Sequence, residues 1–385
     1  MQFSLNLALT DVEACGIGLA GAWSTVPDWL RAALATSCAR DFDALLTASK
    51  QNAQVGLLAH ALAECGLSER IEPAAHARMT AYNWESRLIE AAQWSALAEI
   101  DYVLGALEFR PVYLKGPVTS RHYYAPSWHR GFKDIDVLVD QARALEAYRV
   151  LHRLDYRQGR FDRARRQVQY RDDPVTLDDP RGYELPRLVK MLPVRLDALW
   201  RERLQPVLAD STRLVVEDDI ASIPAQVEVH YALEPDRRIP FTLCAAGIVE
   251  LPHGRCLDPE SQLVYLCYKA YVDIALLGAR GGIKLVADVV RLIDKDGDRI
   301  TWPGLLARYH ARGLCAPIAY VLAHARAIYG CCIGTDIGAG QAGECACTAP
   351  HGEIGDVVAG SALDLGDFLP ALATGRRAMQ LQYGA

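Results

Sequence analysis

The sequence predicts an α+β fold that is predominantly helical, with a small mixed β-sheet between helical N- and C-terminal regions. Apolar residues recur at helical spacing over residues 1–76 and again from residue 258 onward. Between them, residues 134–140 and 224–233 combine β-branched residues with the alternation of a β-strand. At 385 residues, 51% hydrophobic and 23% charged, the chain has the composition of a globular protein of two or three domains.

The first third of the chain is predicted to be helical up to a short strand. Pro73 interrupts the N-terminal helical pattern, and the apolar spacing then predicts one long helix from residue 77 to residue 108. Pro111 ends this helix, because a proline disfavours helical geometry in the residue before it. Residues 111–114 form a short strand candidate that runs into the dipeptide Lys115-Gly116.

The middle of the chain alternates between regular elements and polar connections. Pro117 is suited to the start of a helix, and residues 142–154 have amphipathic helical spacing after the acidic strand. Residues 157–171 carry six arginines and one aspartate. We interpret them as the solvated face of a helix or, alternatively, as a site for an anionic acceptor or a nucleotide tail. Residues 172–186 are rich in Asp and Pro and predict a loop or lid.

Three regions are expected along the chain: an N-terminal helical region over residues 1–76, a strand-containing core over 77–240 and a C-terminal helical domain over 241–385. A Gly/Ala-rich connection is expected at 334–355. Helical spacing in the last region predicts helices at 261–277, 283–295, 303–312, 316–329 and 363–381.

Charge and hydropathy exclude several classes of protein. The net charge of −6 gives no global support for nucleic-acid binding. No apolar run is long enough to span a bilayer, and residues 1–5 lack the basic start of a signal peptide, so we expect a cytoplasmic protein without a membrane partner. The eleven cysteines are scattered and have no partner pair at zinc spacing, which favours buried, reduced thiols.

Two carboxylates at i and i+2 are the strongest chemical signal. Asp134 and Asp136 share one face of the predicted strand, because strand side chains alternate between faces. Like charges on one face repel, and a divalent cation removes that cost by accepting both oxygens. Glu228 and His230 share a face of the later strand in the same way, although a solvent-exposed face would give the same pattern and is the preferred interpretation for His230 alone.

The order of these motifs resembles the DNA polymerase β-like nucleotidyltransferase superfamily, and more closely a bacterial family of uncharacterised nucleotidyltransferases. The resemblance covers residues 77–330 and depends on Leu114-Lys115-Gly116, the Asp-x-Asp strand that begins at Asp134 and the acidic-x-His strand that begins at Glu228. The sequence departs from the superfamily in lacking Gly-Ser close before the carboxylates, since seventeen residues separate Gly116 from Asp134.

The resemblance implies a small mixed sheet of nucleotidyltransferase type and transfer of an NMP group from an NTP such as ATP. It implies two Mg²⁺ ions held by Asp134, Asp136 and Glu228 as metal ligands and catalytic residues. The acceptor is a hydroxyl or phosphate of a small molecule, a peptide or protein, or an RNA end. The expected NTP-binding residues are Lys115, Gly116, Thr119, Ser120, Arg130 and Lys133.

Two other functions use the same residues. A glycosyltransferase also binds a metal and a sugar nucleotide through Asp-x-Asp, but there the motif normally follows an apolar strand. Here residues 129–133 before the motif are polar and the apolar residues follow it, which favours the nucleotidyltransferase. A non-catalytic nucleotide-binding protein of the same fold is the other alternative, and the presence of all three carboxylates argues against it.

Overall fold

A computed structural model describes residues 10–329, with gaps at 22–24, 108–109, 179–181, 235–238, 253, 277–281 and 311. The chain divides into two compact units. The first unit combines the described parts of residues 1–76 and 263–385, and the second unit is residues 77–262. The Gly/Ala-rich connection at 334–355 and the helix at 363–381 that the sequence predicts lie outside the described residues.

The first unit is helical. Its helices are α1 Asp11–Leu19, α2 Asp28–Arg40, α3 Phe42–Gln51, α4 Val55–Glu64, α5 Pro73–Gly105, α10 Pro259–Tyr271, α11 Gly282–Asp296, α12 Trp302–His310 and α13 Cys315–Tyr329. Helices α5 and α10 contain residues of both units. Helix α1 packs on α2 and α3, α11 packs on α13, and the hydroxyl of Tyr329 donates a hydrogen bond to the carbonyl of Ile17 at 3.0 Å.

The second unit is built around a nine-stranded sheet. Its remaining helices are α6 Lys115–Tyr123, α7 Gln141–Arg153, α8 Ala198–Leu204 and α9 Phe241–Cys244. The strands are β1 Val112–Tyr113, β2 Asp134–Leu138, β3 Arg157–Asp162, β4 Gln167–Tyr170, β5 Leu188–Arg195, β6 Val215–Glu217, β7 Ile220–His230, β8 Ile248–Leu251 and β9 Gly254–Leu257.

The sheet is mixed. Its order is β4-β3-β5-β7-β2-β1-β9-β8, with β6 paired to β7 beside this path. The pairs β2–β7 and β1–β9 are parallel, and the other pairs are antiparallel. Strands β2 and β7 therefore lie side by side near the middle of the sheet, although some eighty residues of chain connect them.

One face of this sheet packs against α5 and α7. Ile135 and Val137 of β2 and Val227 and Val229 of β7 lie in the hydrophobic core cluster that includes apolar residues of both helices. Burying such side chains stabilises the fold by roughly 1.5–3 kcal/mol each. Because strand side chains alternate, residues 134, 136, 228 and 230 lie on the opposite face.

The predicted fold class is confirmed: the chain is α+β and predominantly helical, with a mixed sheet and helical flanks. The interpretation of residues 157–171 as a helix face is wrong, because β3 and β4 form an antiparallel hairpin there. Because arginines occupy strand positions there, the sequence shows no hydrophobic alternation, and neither β3 nor β4 was predicted. In the part of the chain that the structure describes, no helix has both the length and the apolar character needed to cross a membrane, and the seven cysteines are free thiols.

Candidate active site

Two adjacent parallel strands position the acidic residues. In the register between β2 and β7, Asp136 is the direct partner of Glu228, and Asp134 is the partner of Gln226. Glu228 and His230 are two residues apart on β7 and so share a face with each other and with Asp136. This pairing places two carboxylates and an imidazole together on the sheet face away from the helix-packed core.

Asp136, Glu228 and His230 form a compact, buried cluster. Each offers a ligand atom, and these atoms all lie within 4.8 Å of one another. The Nε2 atom of His230 is 3.1 Å from Asp136 Oδ1 and 3.7 Å from Glu228 Oε2. Its Nδ1 atom is 3.5 Å from Glu184 Oε2. The imidazole ring therefore lies among three carboxylates.

Two further cations contact this cluster. Lys115 begins α6, and its Nζ atom is 3.1 Å from Asp136 Oδ1. Arg187, directly before β5, donates hydrogen bonds from Nε, at 2.6 Å, and from Nη2 to Glu228 Oε1. Lys115, Arg187 and a protonated His230 together would balance the charges of Asp136, Glu228 and Glu184. This balance explains how the carboxylates are accommodated, because a buried charge without a partner is costly.

The pKa values follow from burial and these contacts. Burial raises the pKa of Asp136, and the nearby Lys115 ammonium opposes that rise. Burial alone would raise the pKa of Glu228, but the nearby His230 ring and the charge of Arg187 outweigh it and hold that pKa well below its usual range. For His230, burial favours the neutral ring, but the hydrogen bond to Asp136 and the nearby Glu228 carboxylate outweigh it and raise the pKa to about 9. Burial raises the pKa of Glu184 against the opposing charge of His230.

The donor set fits a divalent cation. The Oδ2 atom of Asp136 is buried and accepts no hydrogen bond from any residue within the described ranges. Such an orphaned oxygen costs free energy, and a hard cation would satisfy it. Asp136 and Glu228 supply the oxygen ligands that Mg²⁺ prefers, whereas the nitrogen of His230 is a ligand more typical of transition metals.

Asp134 lies beside this cluster and not within it. It shares the face of Asp136 on β2, but it lines an adjoining concave site of about 650 Å³ together with Lys133 and Arg163. Burial and the charge of Arg163 lower the pKa of Lys133, although its side chain reaches solvent. The structure thus unites two of the three predicted metal ligands, and the role of Asp134 as a third stays a prediction.

The predicted NTP-binding residues fall in different environments. The Thr119 hydroxyl donates to the Gly116 carbonyl at 3.3 Å and the Ser120 hydroxyl to the Pro117 carbonyl at 3.0 Å, and both side chains are fully buried. Arg130 is also buried, at the end of a 3₁₀ turn. Nucleotide contacts from these three residues stay predictions. Lys115 contacts a carboxylate here, so its predicted phosphate contact would require exchange of that partner.

Gly116 is required by packing within the protein. A Cβ atom there would lie 3.0 Å from the Cβ of Phe132 and 3.1 Å from the carbonyl oxygen of Asp134. The predicted contact of this glycine with a triphosphate stays a prediction. The structure shows that the first turn of α6 packs directly against the chain entering β2, which is how Lys115 reaches Asp136.

The sequence did not predict the positions of three side chains that surround Asp136 and Glu228. The preference for a solvent-facing His230 is wrong, because its ring is buried between carboxylates. The acidic-x-His spacing already contained that signal. Glu184 and Arg187 were not singled out at all, since they lie in and just after the Asp/Pro-rich segment that predicted a loop or lid. No local pattern marks them, because their role depends on the pairing of β5 with β7.

Comparison with protein families identifies the chain. The model of a family described as uncharacterised nucleotidyltransferase matches residues 39–330. The chain belongs to this nucleotidyltransferase family. The match covers all of the residues assembled around Asp136 and extends beyond the region 77–330 that carries the motif resemblance. Comparison with curated proteins and comparison with solved structures each gave no match.

Lys115→Met is expected to destabilise the fold, because it leaves the Asp136 carboxylate buried beside fewer positive charges. Removing one partner of a buried ion pair typically costs about 3–5 kcal/mol. The matched control is Lys190→Met, whose partner Glu99 is 3.0 Å away but whose pair is partly exposed, so the cost should be about 1 kcal/mol or less. Urea denaturation measures both, and Lys115→Met combined with Asp136→Asn should recover part of the loss. Equal costs for the two single variants would contradict this electrostatic role.

Gly116→Val is expected to destabilise the fold by about 1–3 kcal/mol, because the new side chain overpacks against Phe132 and the Asp134 carbonyl. Gly105→Val is the control, since a Cβ atom at that helix end meets no atom within 4 Å and should change stability by about 0.5 kcal/mol or less. Thermal unfolding compares them. If Gly116→Val melts like Gly105→Val, the close packing described for α6 is not a constraint on stability.

Proposed function

We propose that this chain is a Mg²⁺-dependent enzyme that transfers an NMP group from an NTP to an acceptor hydroxyl or phosphate. The observation that carries the proposal is the facing pair Asp136 and Glu228 on adjacent parallel strands, with one buried Asp136 oxygen that accepts no hydrogen bond from the residues that the structure describes. Membership of a nucleotidyltransferase family supports the reaction class. The acceptor is a small molecule, a peptide or protein, or an RNA end.

The proposed step is a substitution at the α-phosphorus of the NTP. An acceptor oxygen forms a new O–P bond, and the bond between the α-phosphorus and the oxygen bridging to the β-phosphate breaks. Pyrophosphate leaves with that electron pair, and the acceptor's proton passes to a carboxylate or to water. When bound, one or two Mg²⁺ ions would stabilise the charge on the entering and leaving oxygens.

The residues of the chain have separate tasks in this proposal. Asp136 and Glu228 would hold the metal, with Asp134 as a further ligand on the same strand face. Lys115 and Arg187 neutralise the carboxylates in the metal-free protein, and with a metal bound they would be available to phosphate oxygens. His230 fixes the orientation of Asp136 through its hydrogen bond to Oδ1.

Several finer features stay predictions within this proposal: the identity and number of the metal ions, ATP as the nucleotide, an RNA end as acceptor, and a cytoplasmic, bacterial setting. Family membership favours nucleotidyl transfer over the glycosyltransferase alternative, because the matching family is described by the former reaction. A non-catalytic nucleotide-binding role would give the carboxylate pair no part in a reaction. An assay of turnover distinguishes this alternative from the proposal.

Asp136→Asn should reduce transfer by about a hundredfold or more, because an amide removes the charge that holds the metal. The assay incubates the protein with Mg²⁺, all four α-labelled NTPs and pools of small molecules, peptides and RNA, and follows labelled products by mass. The matched control is Glu217→Gln, which also neutralises a carboxylate but lies exposed on β6, eleven residues before Glu228 in sequence.

Calorimetric titration with Mg²⁺ accompanies this assay. Binding of Mg²⁺ by the wild type and by Glu217→Gln, together with its loss in Asp136→Asn, is the expected pattern. Equal turnover and equal metal dependence in both variants would refute the metal role of Asp136. Nucleotide binding without any labelled product in any pool would favour the non-catalytic alternative.

A further inference from the structure

A second concave site adjoins the carboxylate cluster and has the opposite charge. It encloses about 650 Å³, which lies within the range of small-molecule sites. Four cationic side chains line it, against two carboxylates, those of Asp134 and Asp162. The four cations are Lys133, Arg160, Arg163 and Arg187.

Much of this positive charge is not neutralised within the protein. Lys133 and Arg163 form no ion pair within 4.0 Å with any carboxylate that the structure describes, and Arg160 bonds to the neutral amide of Gln169 at 3.3 Å. Asp162 is already occupied, since it accepts hydrogen bonds from two backbone N–H groups and from Gln169. Clustered cations with few partners repel each other and favour an anionic ligand.

The protonation behaviour of the site agrees with its geometry. Arg163 reaches solvent on one side, yet desolvation by its surroundings and the charge of Arg213 lower its pKa. An anion placed beside Arg163 would remove this repulsion.

The position of the site relates it to the reaction. Arg160 comes from β3, Arg163 from the turn between β3 and β4, and Arg187 from the residue before β5, all on the β7 side of the carboxylates, whereas Lys133 directly precedes β2. Lys115 approaches Asp136 from the other side, through α6 and the neighbouring β1. Positive charge therefore flanks the carboxylates on two sides, and an in-line displacement requires the attacking and leaving oxygens on opposite sides of the phosphorus.

A further pocket joins this cation-lined site, the basic site, to Glu228. It encloses about 560 Å³ and is lined by Glu228 and Glu184, and it shares Arg160 and Arg187 with the basic site. A molecule anchored in the basic site can thus extend toward the catalytic carboxylates along a continuous set of side chains. In the proposed function the cation for the triphosphate is Lys115, on the other side of Asp136.

We infer that the basic site formed by Lys133, Arg160, Arg163 and Arg187 binds the acceptor, and that the acceptor carries a phosphate or carboxylate group. This inference rests on the proposed nucleotidyl transfer. The anionic group is held by the cations, and a separate hydroxyl or phosphate oxygen of the same molecule attacks the α-phosphorus. That oxygen gains the NMP group and loses its proton, pyrophosphate leaves, and the anchoring group is unchanged.

The experiment titrates inorganic phosphate, as a probe of the anchoring site, into the protein with Mg²⁺ and follows it by phosphorus NMR. It is run with and without a saturating α,β-methylene analogue of the NTP that supports turnover. The test variant is Arg163→Gln, with Arg160→Gln as a second variant should the first fold poorly. The matched control is Arg157→Gln, which changes an exposed arginine of the preceding strand β3 that lines neither pocket.

We expect phosphate to bind both with and without the nucleotide analogue. Arg163→Gln should weaken phosphate binding about tenfold or more, while binding of the analogue and phosphate binding by Arg157→Gln stay within about twofold of the wild type. Competition between phosphate and the analogue would overturn the acceptor assignment and make the site a triphosphate site. Equal phosphate affinity in Arg163→Gln and the wild type would overturn the anion site itself.

Two further outcomes separate this inference from the proposed function. Arg163-dependent phosphate binding by a protein that turns over no NTP would refute nucleotidyl transfer and with it the acceptor role, and would leave only an anion site. Salt-sensitive binding of a single-stranded RNA that weakens equally in Arg163→Gln and Arg157→Gln would indicate an extended basic surface and overturn the pocket.

Discussion

The proximity of Asp136 and Glu228 is the constraint on which the rest of the site depends. Parallel pairing of β2 and β7 places these carboxylates side by side and buries both. Two like charges in a low-dielectric environment are tolerated only with compensation. Lys115, His230 and Arg187 supply it from the start of α6, from β7 and from the residue before β5. The two buried carboxylates are therefore stabilised only when these three elements pack together.

The opposite face of β2 and β7 is apolar, and its burial offsets the cost of the buried charges. Ile135 and Val137 alternate with the acidic residues of β2, and Val227 and Val229 alternate with those of β7. Their burial against α5 and α7 fixes the register of both strands, because a slip of one residue would turn the apolar side chains to the site and the charges to the core. The hydrophobic core thus determines which carboxylates face each other, and the chemistry of the site depends on its packing.

The parts of the fold that sequence predicted are those with a local signal. The helical ends, the two central strands and the shared face of Asp134 and Asp136 follow from periodicity, whereas the meeting of Asp136 with Glu228 was implied by the family resemblance. The β3–β4 hairpin was missed because arginines occupy strand positions without hydrophobic alternation. Glu184 and Arg187 were missed for a different reason, since their contacts arise from strand pairing across some forty residues and leave no mark at either end.

The same limit applies to charge. A net charge of −6 over 385 residues gave no global support for nucleic-acid binding, yet the chain concentrates cations on one side of the Asp136 and Glu228 carboxylates. A potential inside a cleft depends on the few charges that line it, because salt and water screen those beyond about 10 Å. Arg187 belongs to both environments, since it bonds to Glu228 and also lines the basic site. The affinity of each site for its ligand therefore depends on where this one guanidinium is held.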